Sequence, residues 1–134
     1  MEGLLTARII LFVVLTGAGA LVLWMARATA SGRLGRNSFA GIRIPSTMAS
    51  DEAWHAAHAR AKRLTIAAGL VSIASGLFAL VPGPPELLAV VVLLAAVAMV
   101  ALLLRGASVG RQAALETVDT PDPATGPDVI RGHR

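Results

Sequence analysis

Several residue types are missing or scarce in this chain, and each absence removes a class of chemistry. The 134 residues include no cysteine, which excludes disulfide bonds, thiolate metal ligands and a cysteine nucleophile. There is no tyrosine, and with only two tryptophans and three phenylalanines the aromatic belt usual at membrane interfaces is thin. Charged residues make up only 15% of the chain, against about 25% in a typical soluble domain. The composition therefore argues against an ordinary soluble domain.

What the chain does contain is three long apolar runs without a charged residue. They are Ile9–Ala26, Leu64–Val81 and Leu87–Leu104, each of 18 residues. As helices they would be roughly 27 Å long, close to the ~30 Å hydrocarbon core of a bilayer. The sequence therefore predicts an all-α membrane protein with three transmembrane helices. The absence of a charge at the centre of any span argues against an ion- or proton-coupled transporter.

The charges between the runs predict an orientation. Residues 27–63 hold seven basic and two acidic residues, a net charge of +5, whereas the turn Pro82–Glu86 has no basic residue. The positive-inside rule then places the polar loop and the C-terminus in the cytoplasm and the N-terminus outside. Such a cluster is attracted to anionic lipid headgroups, so the net charge of +4 needs no nucleic-acid partner. Arginine outnumbers the single lysine, and with abundant alanine and glycine this is typical of a GC-rich bacterial genome, so the expected location is a bacterial plasma membrane.

A cleavable signal peptide is the alternative for the first span, because Ala28-Thr29-Ala30 has the small-residue pattern of a cleavage site. The uncharged run is longer than the roughly 7–15 residues of a signal-peptide core. Cleavage would also leave the arginine-rich loop outside the membrane. We therefore retain the first span.

The chain divides into a membrane module, residues 1–104, and a cytoplasmic tail, residues 105–134. In the module we expect spans at about 5–26, 64–81 and 87–104, with the polar loop at 27–63 and a short external turn between the second and third spans. Arg8 can extend from the first helix to the interface. The tail is rich in Pro, Thr and Asp around residues 117–127 and is expected to be mostly disordered. Residues 107–115 can add a short interfacial helix.

Two helical faces carry small residues, which let helices approach closely in lipid. One is Thr16–Ala20 in the first span, and the other is formed by Ala68, Ser72 and Gly76 in the second. Packing of the three spans against each other explains both faces, and homo-oligomerisation is the alternative. The third span is almost purely aliphatic and is expected to face lipid.

The polar loop holds local signals of order. Pro45 fixes its own φ and favours an extended residue before it, so Gly41–Pro45 is expected to be an ordered, extended or re-entrant segment at the level of the headgroups. Ser50 is a suitable N-cap, with acidic residues in the first turn that follows. A helix from Asp51 would continue into the second span, with Trp54 as an anchor at the membrane interface.

Enzymatic and metal-dependent chemistry find little support. Glu52, His55 and His58 are spaced by three residues, as in some di-metal carboxylate proteins, but the spans offer no further carboxylates. There is no phosphate-binding glycine loop of the Walker type and no sign of a Ser/His/Asp triad. A metal site at these three residues stays open as an alternative, while the sequence favours a non-enzymatic protein without a cofactor.

The loop as a whole resembles the signature of the SdpI family, which is carried by residues in a fixed order before a membrane span. Those residues are Asn37, Gly41, Ile42, Arg43, Pro45, Thr47, Glu52, Trp54 and His58. The family consists of bacterial integral membrane proteins named for immunity to a secreted toxin and for signalling its presence. This chain departs from the pattern at Ser46 and Ala57, and it has only the three-span module where larger members have more.

The resemblance implies a membrane module whose cytoplasmic loop binds a partner. The expected partner- or lipid-binding residues are Asn37, Gly41, Arg43, Pro45, Thr47, Glu52, Trp54 and His58. The partner would be a protein toxin or a cytoplasmic regulator. An accessory subunit of a larger membrane complex is the alternative function.

Overall fold

The computed structural model describes residues 1–119, all of whose regular structure is α-helical. Helix α1 is Glu2–Ala30, α2 is the short Pro45–Met48, α3 is Asp51–Phe78 and α4 is Pro85–Asp119. The predicted disorder of residues 120–127 lies outside the described residues. We call the end of the molecule that carries residues 31–50 the loop end, and the end that carries residues 79–84 the turn end.

Three of these helices, α1, α3 and α4, are long and apolar enough to cross a membrane. This confirms the prediction of an all-α, three-span membrane protein. Apolar side chains of α4 such as Leu93, Leu94 and Val97 are more than 60% exposed in the isolated chain. A lipid surround is the natural solvent for such a helix.

The contact between α1 and α3 depends on glycines. A Cβ added to Gly19 would lie 2.6 Å from the carbonyl oxygen of Gly69, and one added to Gly69 would lie 2.9 Å from the carbonyl oxygen of Gly19. Near this crossing, the Ser72 hydroxyl donates a hydrogen bond of 2.8 Å to the carbonyl of Leu15. Small residues thus allow the backbones to touch, which is how helices associate without a hydrophobic driving force. Both small-residue faces expected from the sequence contribute to this contact.

At the turn end, Arg8 joins α1 to the end of α3. Its guanidinium donates to the carbonyl oxygens of Ala79, Val81 and Gly83 at 3.1, 2.6 and 2.7 Å. These carbonyls lie just beyond the end of α3, where no following helical turn supplies amide N–H groups to bond them. Arg8 is only 8% exposed. The side chain expected to extend to the interface binds the carbonyls that follow α3, because unpaired carbonyls there attract a cation.

Helix α4 does not end where its apolar run ends, at Leu104, but continues to Asp119. Its extension is buried through Gly106, Gly110, Ala113 and Ala114. A Cβ on Gly110 would lie 3.0 Å from the carbonyl oxygen of Ala57, so the extension packs closely on the first turns of α3. Residues 105–119, assigned from sequence to a mostly disordered tail with a short helix at 107–115, are therefore helical throughout, since this small-residue face packs on α3.

Candidate functional site

The polar loop, residues 31–50, folds back onto the first turns of α3. Ser50 caps that helix, because its hydroxyl accepts a hydrogen bond of 3.0 Å from the amide of Ala53. The sequence-based expectation that Ser50 is an N-cap and that the helix starts at Asp51 is confirmed. With the helix start fixed, Trp54 and His58 of its first turns face the loop.

Asn37 shapes the first bend of the loop. Its side-chain oxygen accepts hydrogen bonds from the amides of Phe39 and Ala40, at 2.9 and 2.8 Å, and its amide group donates to the carbonyl of Gly35 at 2.9 Å. This is the local side-chain-to-backbone bonding by which asparagine builds turns. The Arg43 guanidinium donates to the Ser38 carbonyl across the same bend. Asn37 therefore has a structural task inside the loop.

Gly41 brings the backbone against two rings of α3. Its φ is +96°, a conformation that a residue with a Cβ adopts only under strain. A Cβ there would lie 2.5 Å from Nε2 of His58 and 2.9 Å from the Trp54 ring. Glycine is required at this position both by the backbone angle and by the space.

His58 holds the backbone of the loop with its ring. The amide of Ile42 donates to Nε2 at 2.9 Å, and Nδ1 lies 2.8 Å from the carbonyl oxygen of Trp54. Because Nε2 must accept, the proton of the neutral ring is on Nδ1, which donates to that carbonyl. His58 is 5% exposed, and this burial is the main cause that lowers its pKa. The hydrogen bond to the Trp54 carbonyl acts to raise the pKa, and repulsion from nearby His55 lowers it by a smaller amount. The site is therefore built for a neutral histidine.

Trp54 is buried beneath the loop. Its side chain is 0% exposed, its indole N–H donates to the Leu34 carbonyl at 3.1 Å, and its ring centroid lies 4.1 Å from that of His58. The sequence-based interpretation of Trp54 as an interface anchor is wrong. The loop can cover the Trp54 ring because the Leu34 carbonyl of the loop accepts the hydrogen bond that a buried indole N–H requires.

Thr47 fixes the second bend. Its hydroxyl oxygen accepts from the amide of Ile44 at 3.1 Å and the hydroxyl donates to the Ile42 carbonyl at 2.6 Å. Pro45 is the first residue of α2, a position where its missing N–H costs nothing. Ile44 before it is extended, as the proline predicts.

An ion pair that sequence reasoning did not predict closes the loop against the start of α3. Nε of Arg36 lies 2.7 Å from Oδ1 of Asp51, and Nη1 donates to the Met48 carbonyl at 2.9 Å. Both side chains are well exposed, so the pair contributes at most about 1 kcal/mol. Sequence reasoning also missed Phe39, which is 92% exposed. The sequence feature that could have indicated Phe39 is its position two residues after Asn37, at the bend that the asparagine stabilises.

The structure does not bring Glu52, His55 and His58 together. Glu52 is exposed, His55 lies beside Gly32, and both ring nitrogens of His58 are already bonded to backbone groups. Within residues 1–119 there is no group of three His, Cys, Asp or Glu side chains placed to hold a metal ion. This geometry gives the metal alternative no support.

The eight expected site residues therefore fall into two groups. Thr47, Trp54 and His58 are buried, and they build the loop with the half-buried Asn37 and Gly41. Arg43, Pro45 and Glu52 are exposed. The buried members serve to order the loop, and the exposed ones, together with Phe39, are available on its surface.

The loop and the helices that follow it match a known protein family. The profile of the SdpI/YfhL protein family matches residues 33–104, which is more than half of the chain and runs from the loop through the third span. No curated protein and no solved structure gives a significant match. The matched region contains the loop, the Trp54–His58 pair that holds it and the helical hairpin beneath it. The chain belongs to the SdpI/YfhL protein family.

Proposed function

We propose that this membrane protein acts without catalysis, as a binding module that presents its ordered loop to a protein partner at the membrane. The observation that carries the proposal is the division of the loop into a hydrogen-bonded interior and an exposed rim. Thr47, Trp54 and His58 use their polar atoms to hold the backbone, as the distances above show. A catalytic site would need reactive groups left accessible, whereas a binding surface needs a rigid base.

The rim of the first bend is suited to contact a partner. Phe39 exposes an aromatic ring at the bend, and Arg43 is exposed next to it, held by its bond to the Ser38 carbonyl. Aromatic and arginine side chains are the residue types that contribute most to protein interfaces. The two roles known for the family, toxin immunity and signalling through a cytoplasmic regulator, both require such a partner.

We further propose that the loop end is cytoplasmic. In residues 1–119 Arg8 is the one basic side chain at the turn end, and its guanidinium is hydrogen-bonded to the carbonyls that follow α3. The other basic residues of this described part lie at the loop end, which the positive-inside rule places in the bacterial cytoplasm. Since the chain has no cysteine, the single variant Ser38→Cys gives a clean test. Labelling of this variant by an impermeant thiol reagent added to intact cells would contradict this orientation.

The binding proposal is tested by placing a photo-crosslinking amino acid at Phe39 in the native membrane. The matched control carries the same amino acid at Gln112, which is exposed on the extension of α4. We expect a discrete protein adduct from position 39 that is lost when Gly41→Val disrupts the loop, and none from position 112. Equal adducts at both positions, or no adduct at either, would refute the proposal.

The identity of the adduct separates the functions. A secreted toxin indicates immunity, and a soluble regulator indicates signalling. A constant stoichiometric membrane protein would indicate the accessory-subunit alternative. Replacing Phe39 and Arg43 by alanine should abolish the function identified in this way, while the protein still inserts in the membrane.

A further inference from the structure

A cavity of about 260 Å³ lies at the loop end between α1 and α4. Met25 lines it from α1, Leu103 and Ala107 from α4, and Thr65 from α3, while Ile42 of the loop and His58 complete the wall. The cavity is thus bounded by all three spans and by the loop that the family signature orders.

Most of the lining surface is apolar, and its polar side chains are those of Thr29, Thr65, His58 and Lys62. The Thr29 hydroxyl is satisfied within its own helix by the Met25 carbonyl at 2.8 Å. The hydroxyl of Thr65 is satisfied within its own helix by the Ala61 carbonyl at 3.1 Å, and the ring nitrogens of His58 are bonded as described. No acidic residue lines the cavity. Lys62, the only lysine of the chain, lies at its edge and is exposed. Within residues 1–119 its ammonium has neither an ion-pair nor a hydrogen-bond partner.

The height of the cavity along the helices indicates what surrounds it. Leu64 begins the apolar run of α3 immediately after Lys62 and Arg63, and Leu104 ends the run of α4 immediately before Arg105. The cavity lies at this boundary, where the hydrocarbon of a bilayer meets its headgroups. A ligand there would reach the apolar wall from the lipid side and the cation from the headgroup side.

We infer that this cavity is a binding site for an anionic phospholipid, with the upper part of one acyl chain in the cavity and the phosphate at Lys62. The charge complementarity selects the headgroup, since an unpaired cation with no carboxylate in the cavity favours a net negative charge. A polar solute would leave its hydrogen-bonding groups unpaired against the apolar wall. The volume is smaller than that of typical pockets for drug-sized ligands, so most of the chain would remain in the bilayer. The inference does not rest on the proposed partner binding.

The test is lipid titration of the full chain in non-ionic detergent, followed by native mass spectrometry. The probes are phosphatidylglycerol and phosphatidylcholine with identical acyl chains. We expect tighter binding of phosphatidylglycerol, and an approximately fivefold loss of that affinity in Lys62→Met, the change expected for one basic residue near a headgroup. The matched control is Arg63→Met, which removes the same charge from the neighbouring position outside the cavity and should retain the affinity.

A second pair of variants tests the cavity itself. Ala107→Phe fills the space and should abolish the bound lipid, whereas Ala98→Phe adds the same ring to an exposed position of α4 that lines no cavity described here and should not. Helicity is measured for each variant, and Lys62→Met, an exposed change, keeps the test valid if Ala107→Phe does not fold. Equal binding of the two lipids, or an equal loss in Lys62→Met and Arg63→Met, would overturn the inference.

Discussion

The tightest contact of the loop is at Gly41, and replacing it by alanine should release the loop from α3. The new Cβ would clash with Nε2 of His58, at 2.5 Å, and with the Trp54 ring, at 2.9 Å. Trp54 is fully buried and cannot move aside freely. A side chain at φ +96° costs about 1–3 kcal/mol, and overpacking of a buried contact costs a further ~1–3 kcal/mol.

The expected magnitude follows from the lower end of these two costs. Together they give at least about 2 kcal/mol, which corresponds to a factor of about 30 in the opening equilibrium. The Ile42 amide reports that opening, because it is bonded to His58 in the closed loop and becomes free to exchange when the loop opens. Hydrogen exchange of this amide should therefore be at least about 30-fold faster in Gly41→Ala than in the wild type.

The same loop provides a matched control at Gly35. A Cβ there meets nothing within 4 Å, and the residue does not have a positive φ. Gly35→Ala should leave the exchange of the Ile42 amide unchanged or slightly slower, because alanine reduces the freedom of the open chain. If Gly41→Ala exchanged as slowly as Gly35→Ala, the argument that Gly41 determines the loop conformation would be wrong.

Three further predictions concern His58 and the helix contacts. Because burial lowers the pKa of His58, the open loop takes up a proton first as the pH falls below about 6.5, so stability of the closed loop is lost with acidification. The protection factor of the Ile42 amide, its exchange relative to the intrinsic rate at the same pH, should therefore fall. In His58→Gln this pH dependence should disappear, which amide exchange between pH 7.5 and 5.5 would check. Arg8→Met should lower the free energy of unfolding by about 1–3 kcal/mol, since three carbonyls lose a charged donor, as measured by thermal unfolding in detergent. Gly19→Leu should separate α1 from α3 at a cost of about 1–3 kcal/mol, whereas Gly17→Leu, with open space around it, should not alter the melting temperature.

Other parts of the structure could be predicted because their signals are local. The three apolar runs determine the spans by their length and composition, since an uncharged apolar helix of that length is stable in the hydrocarbon core of a bilayer. Ser50 and the acids after it determine the start of α3, and Pro45 determines the extended residue before it, as the structure confirms. The order of the loop residues was enough to identify the family.

What only the tertiary structure decided is the direction in which the signature side chains point. The loop lies over Trp54, so a tryptophan that suits a membrane interface became a buried one, and Arg8 turned onto carbonyls far along the chain. The extension of α4 is helical because α3 offers it a small-residue face, a contact between residues about 50 positions apart. These outcomes depend on which backbone groups lack partners after the spans assemble, and that is a property of the assembled helices. The sequence by itself determined the membrane spans and the loop's local bends, while the pairing of the loop with the first turns of α3 came from long-range hydrogen bonds that no local pattern records.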